Sequence, residues 1–511
     1  MNRRDFFKTI GLGSVAMALP PSLYSAQACT QAVSKAGKNI LFISVDDLRP
    51  QLGCYGQNQI ISPNIDKLAA EGTLFERAYC QQAVCAPSRI SLLSGLRPDT
   101  TGITDLYHPL KDVAPDTLTM PKFFKQHGYE TVSIGKVYHH RNDDPDGWSV
   151  PAYRAKGKWK GYGYLAPESI KLLSEQKKQI EKEKQEYLKK HKNDPDVKKK
   201  HWRNPVGPPF EAADVPDNAY PDGAHCDYAI NELTRLSKRK GKAFFLAVGF
   251  VKPHLPFNAP KKYWDMYPES KIKLPDNPFP PKCANKYTMN WCGELGNYSG
   301  VKLDKKGIPI FSDKEKKQLI RGYSACVTYT DTQIGRLIST LDKLGLRDNT
   351  VIVLWGDHGW KLGDHGSWCK HTNLEIDTHA PLIIDAPGYK KGQRCNSLVE
   401  FVDVYPTLAK LCGFAVPKHC EGVSLIPLLK NPKAKLKDAA FSQYPRKGGI
   451  MGYTIKTHRY RYTEWRNIKT GKVEERELYD HEKDLQENEN VVGKPEYADT
   501  IKKIKQLMIK L

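Results

Sequence analysis

Beyond its N-terminus this chain contains no stretch of about 18 or more consecutive apolar residues, so no membrane span is expected in the mature protein. No internal repeat is evident along it. Acidic side chains are in short supply: 57 Asp and Glu stand against 79 Lys and Arg, a formal net charge of +22. The excess has no nucleic-acid recognition motif beside it, which makes nucleic acid a poor partner. Disorder is excluded as well, because 40% of the residues are hydrophobic and only 27% charged. At 511 residues the chain can bury the core of one large α/β domain with a smaller one beside it.

Residues 1–28 read as an export signal. Arg3-Arg4-Asp5-Phe6-Phe7-Lys8 precedes a mildly apolar run from Ile10 to Leu19, and Ala26-Gln27-Ala28 has the small-x-small form of a cleavage site. The paired arginines have the form of a twin-arginine signal, so a twin-arginine translocase is the expected export partner and a bacterial periplasm or the exterior the destination. An ordinary secretory signal is the plainer alternative. Twelve cysteines in an exported chain permit disulfides without needing them; Cys283 with Cys292, or Cys412 with Cys420, could close small loops. Lysine and glutamate dominate Lys171 to Lys200, read as a solvated surface helix or else as a field attracting a polyanion. A sulfated or carboxylated polysaccharide suits both export and positive charge.

Short β-branched apolar runs recur at Asn39 to Val45, Thr131 to Ile134, Ala243 to Phe250, Thr350 to Leu354 and Pro381 to Ile384. A helical pattern covers Lys317 to Leu344. Strands alternating with helices predict a mostly parallel sheet covered on both faces. Asp46-Asp47, Lys136 and His139, Lys252 and His254, and Asp357-His358 each follow one of these runs. Ligands in open α/β sheets bind at the carboxyl ends of strands, so four such ends describe one site. From about Lys435 the texture changes to short alternating strands and a closing helix from Tyr497 to Leu511. The expected organisation is a signal over 1–28, a catalytic α/β domain over 29–434 and a small α+β subdomain with an antiparallel sheet over 435–511.

Cys85-Ala86-Pro87-Ser88-Arg89 continues into Leu93-Ser94-Gly95. A Cys-x-Pro-x-Arg pattern alone arises by chance at roughly 0.04 expected occurrences in such a chain. With its continuation it resembles the type I sulfatases, whose cysteine is oxidised to formylglycine by a dedicated maturation enzyme. Val45-Asp46-Asp47-Leu48-Arg49-Pro50, Gly135-Lys136-Val137-Tyr138-His139, Lys252-Pro253-His254 and Gly356-Asp357-His358-Gly359 match the same family. Trp368-Cys369-Lys370 matches that family too, and the pairing of Asp357 with His358, Lys252-Pro253-His254, Met451 to Thr454 and Arg459 to Tyr462 resemble most its iduronate-2-sulfatase branch. It runs from about residue 38 to 490 and is weakest between about 150 and 215.

That resemblance implies an alkaline-phosphatase-like fold and a sulfuric ester hydrolase with a nucleophile made from Cys85. Three carboxylates in one pocket cannot all be ionised without a cation, so Asp46, Asp47 and Asp357 imply a hard divalent metal. By resemblance the metal is calcium, His358 is a further ligand, and the modified Cys85 binds it too. Lys136 and Lys370 would clamp sulfate, Arg89 would orient the hydrated aldehyde, His254 would protonate the leaving oxygen and His139 would act as base. The implied substrate is a 2-O-sulfated uronic acid or a related unit of a poly- or oligosaccharide. His365 and His371 are read as supporting, His108 and Arg97 as undecided, Asp480 as packing. A phosphodiesterase or phosphonate hydrolase of the same superfamily, and a non-catalytic binder of sulfated glycans, are the alternatives.

Overall fold

The computed structural model describes residues 37–139, 143–191, 202–239 and 241–508; the signal read over 1–28 lies outside them. Asn39–Val45 (β1) is buried from end to end and divides its side chains between two cores. Leu41, Ile43 and Val45 join one and Ile40 and Phe42 the other, as the two-residue period of a strand requires. The strand is therefore covered on both faces, which is why its sequence is continuously apolar.

Around β1 stand Thr73–Phe75 (β2), Glu130–Gly135 (β3), Phe244–Phe250 (β4), Thr350–Gly356 (β5), Leu382–Asp385 (β6) and Gln393–Cys395 (β7), in the order β7-β2-β6-β5-β1-β4-β3. Neighbouring β3, β4, β1 and β5 are mutually parallel, and β2 pairs parallel with β7. β6 runs antiparallel to both β5 and β2, so the sheet is mixed with a parallel centre. Helix Cys85–Ser94 (α1) lies in the Ile40/Phe42 core. Helices Pro221–Ser237 (α3) and Asp313–Lys343 (α4) lie in the other.

α4 begins earlier than its apolar period suggests, because Ser312 and Glu315 form a reciprocal cap: Ser312 N donates to Glu315 Oε2 at 2.7 Å while Ser312 Oγ accepts from Glu315 N. The lysine-rich segment forms helix Pro167–Lys190 (α2), with only Ser169, Leu173 and Ile180 buried, as the solvated-helix reading expects. Residues 192–200 of that segment lie outside the described ones. The eleven cysteines among the described residues are all free thiols, so neither Cys283 with Cys292 nor Cys412 with Cys420 is bridged. No described helix is long and apolar enough to cross a membrane.

Ala440–Arg446 (β8), Ile450–Lys456 (β9), Tyr460–Asn467 (β10) and Val473–Asp480 (β11) form an antiparallel sheet in sequential order. Ile455, Tyr462 and Leu478 pack with Ile504 and Met508 of the closing helix Ala498–Met508 (α5). Arg461, fully buried, fastens this sheet to the loop after β5. It donates to Glu487 Oε1 at 2.8 Å and to the Asn373 carbonyl at 3.0 Å, and it pairs with Glu375.

Candidate active site

Strand register places the charged groups. Val45 lies opposite Gly356 of β5 and Phe250 of β4, and Gly135 of β3 lies opposite Gly249. The residues that follow, Asp46-Asp47, Asp357-His358, Lys252 and Lys136, therefore leave adjoining strand ends on one edge. Asp47 turns there with φ of +59°, a left-handed conformation unusual for a non-glycine residue. Its N–H donates to Asp357 Oδ1 at 3.0 Å, which ties the two strand ends together.

Cys85 opens α1 and meets this edge. Lys370 Nζ is 3.5 Å from its sulfur and 2.6 Å from Asp47 Oδ1, while His358 Nε2 is 3.4 Å from the sulfur. Ligand atoms of Asp46, Cys85, Asp357 and His358 lie within 4.8 Å of one another, as do those of Asp46, Asp47, Cys85 and His254. Every residue expected to ligate metal is thus in one cluster. His358 Nδ1 lies 3.0 Å from the Gly359 carbonyl, which can only accept, so Nδ1 carries the hydrogen and Nε2 is left to bind. Asp47 Oδ2 is buried without a hydrogen-bond partner among the described residues. Carboxylate oxygens with one such nitrogen fit a divalent cation.

Arg89 is wholly buried beneath the cluster. It donates to Asp357 Oδ2 at 2.9 Å, Asp46 Oδ1 at 3.2 Å and the Val137 carbonyl at 3.0 Å, and also to the Lys136 carbonyl. Lys136 pairs with Asp46. Burial alone would raise the Asp46 carboxyl, but Lys136, His254 and Arg89 hold it well below the usual range. Burial raises Asp357 despite His358 and Arg89. Burial, with Asp46 beside it, pushes the Cys85 thiol well up, so the sulfur stays protonated.

His139, His254, Lys136, Lys370 and Cys85 line one groove of about 700 Å³. His254 Nδ1 is 2.6 Å from the Leu255 carbonyl, and Nε2 stands 3.2 Å from Glu294 and 3.9 Å from Asp46. Burial works against the imidazolium, yet Glu294 and Asp47 outweigh it and raise its pKa. Glu294 was missed by the motif reading because it sits on the short turn Gly293–Asn297, away from every strand end. His225 was missed too: it lines the groove from α3, buried, with neither ring nitrogen hydrogen-bonded among the described residues. Lys252 holds its own loop, donating to the His254 carbonyl at 2.7 Å. His371 lines the groove, and His365 is buried outside its lining. His108 meets Asp105, Arg97 pairs with Glu400, and Asp480 is gripped by Arg459, all outside the groove lining.

A sheet with a parallel centre, sandwiched by helices and carrying these groups at adjoining strand ends, defines an alkaline-phosphatase-like hydrolase. Comparison with known families narrows the class: the Sulfatase model matches residues 38–414, and that of the N-sulphoglucosamine sulphohydrolase C-terminal region matches residues 363–511. The chain belongs to the sulfatase family and is an enzyme of that kind. It is 35% identical to the iduronate 2-sulfatase of Homo sapiens, over 89% of this chain and 88% of that protein. A solved protein in complex with its substrate D-glucosamine-2-N,6-O-disulfate has the same fold, with a TM-score of 0.71 and 24% identity over 93% of this chain and 97% of that one. The phosphonate monoester hydrolase of Agrobacterium radiobacter shares it as well, with a TM-score of 0.70 and 21% identity over 93% and 95%.

Proposed function

We propose that this sulfatase removes sulfate from a 2-O-sulfated uronic acid or related unit of a glycosaminoglycan-like saccharide, using a formylglycine made from Cys85. The observation that carries the reading is the setting of the Cys85 sulfur, between Lys370 and His358 and beside Asp46, with His254 and His139 on the same groove. The substrate class is supported by the similarity to an iduronate 2-sulfatase and by the fold shared with a glucosamine-disulfate-binding protein.

Asp46, Asp47, Asp357 and His358, with the modified residue 85, would hold one calcium ion, which supplies a Lewis acid at a sulfate oxygen. A formylglycine at residue 85 would supply, as its hydrate, a nucleophilic hydroxyl for sulfur and a second hydroxyl through which sulfate could leave. Lys136 and Lys370 bind the sulfate oxygens and hold fixed positive charge where negative charge grows. Arg89 keeps Asp46 and Asp357 in place and so orients what they bind. His254, its pKa raised by Glu294 and Asp47 against burial, donates its Nε2 proton to the departing sugar oxygen. His139 takes the proton of the second hydroxyl. A formylglycine-generating or anaerobic sulfatase-maturating enzyme is the required partner, and export through the 1–28 signal places the enzyme in the periplasm or outside the cell.

Mass spectrometry of the Cys85 peptide, from protein made in its native host, tests this. Conversion of the thiol to an aldehyde lowers the mass by about 18 Da. Release of sulfate from 2-O-sulfated uronides, faster than phosphate from matched phosphate esters, completes the case. An unmodified thiol, or a preference for phosphate, would overturn it.

A further inference from the structure

Only part of the groove is needed to hold sulfate at Cys85. Residues 154–163 also line it, contributing Arg154, Trp159 and Tyr162. These lie in the stretch where the sequence resemblance is weakest. The wall is braced on the protein behind it. The Trp159 ring lies so close over Gly157 that a Cβ there would come within 2.0 Å of it. Asn258 Nδ2 donates to the Gly163 carbonyl at 3.0 Å, and Tyr164 donates to the Pro208 carbonyl at 2.7 Å.

On this fixed base Tyr162 is 59% exposed, a large ring left open to solvent at a groove mouth. Arg154 is exposed as well, its guanidinium 3.8 Å from Asp143, at the limit of an ion pair. The proposed mechanism places sulfate on Lys136 and Lys370, and Arg154 is a further cation lining the same groove. Rigid aromatic faces with one adaptable cation suit a sugar ring that carries an anionic substituent.

We propose that the 154–163 wall is a subsite for the sugar unit bonded to the sulfated one, with Tyr162 and Trp159 taking its ring face and Arg154 its carboxylate or sulfate. The inference rests on the sulfated-saccharide reading above. It makes an oligosaccharide, rather than a single sulfated sugar, the preferred substrate.

The test compares kcat/KM on a sulfated monosaccharide and on the disaccharide that extends it, for wild type, Tyr162→Ala and Arg154→Ala. Wild type should prefer the disaccharide by about tenfold or more, the scale of a well-placed contact. Each substitution should shrink that ratio toward one, and both side chains are exposed, so thermal unfolding should be unchanged. For Arg154→Ala the loss should disappear when the neighbouring unit is neutral. Disaccharides bearing only a carboxylate or only a second sulfate distinguish the two anions. A wild type without the preference, or variants that keep it, would overturn the subsite. A wild type that cleaves an aryl sulfate but no sulfated sugar would instead sink the saccharide reading, and this inference with it.

Discussion

His254 Nε2 stands 3.2 Å from the Glu294 carboxylate, while its other ring nitrogen is 2.6 Å from the Leu255 carbonyl. A carbonyl only accepts and a carboxylate favours a proton between itself and the imidazole, so the two partners together favour the doubly protonated ring. Glu294 is correspondingly lowered from the ordinary carboxylate range by His254, against the effect of its own burial.

Glu294→Gln should therefore shift the pH profile. His254 works in its protonated form, so activity is lost as pH rises through its raised pKa. Removing Glu294 takes away the largest contribution raising it, and the alkaline limb of kcat/KM should move to lower pH. Each unit of movement costs about tenfold at alkaline pH. A limb that stays in place would remove Glu294 from this role.

Chelation should abolish turnover, and calcium should restore it. Asp46, Asp47, Asp357 and His358 come from two separate strand ends, so an ion among them also links β1 to β5. A rise in Tm with added calcium, lost in Asp357→Asn, is the expected companion. Activity indifferent to exhaustive chelation would refute the metal.

Arg461→Ala should destabilise the fold by about 3–5 kcal/mol, the usual cost of removing one partner from a buried ion pair. It leaves Glu487, buried, and Glu375, half-buried, beside each other without that cation, with His481 still paired to Glu487. Denaturant unfolding reads this directly, and a change under about 1 kcal/mol would mean that the remaining groups compensate.

Glu477 gives the fold a pH dependence of its own. Burial pushes its carboxyl up to about 7, although Thr288 donates to it. A carboxyl raised in the folded state stabilises fully below its unfolded pKa of about 4.3, and that contribution is lost as pH climbs to the folded value. Wild type should lose up to about 1.4 kcal/mol per pH unit across that window relative to Glu477→Gln. Parallel stability curves for the two proteins would show that Glu477 does not titrate in the fold.

Much of this enzyme is written locally. Apolar runs covered on both faces mark β1, β3, β4 and β5, and the polar residues just past each run mark the edge where the site forms. Parallel pairing then brings Asp46 beside Asp357 with no further information, because the register aligns Val45 with Gly356. Cys85, Arg89, His139, His254 and His358 were legible because each stands in a short motif, whereas His225 stands in none.

Other features depend on packing between segments distant in the chain, which no local pattern encodes. The direction of β6 is set by its neighbours, since an apolar strand reads the same either way. The cysteines near one another in sequence are not joined, because bridging depends on geometry rather than spacing. Glu294 reaches His254, and Arg461 reaches Glu375 and Glu487, only once the sheets are packed. The chemistry of the centre was thus determined by the sequence itself, through strand ends and motifs. The pairing of His254 with Glu294 and the joining of residues 154–163 to the groove were decided by tertiary structure, because charge pairing and shape act through space and not along the chain.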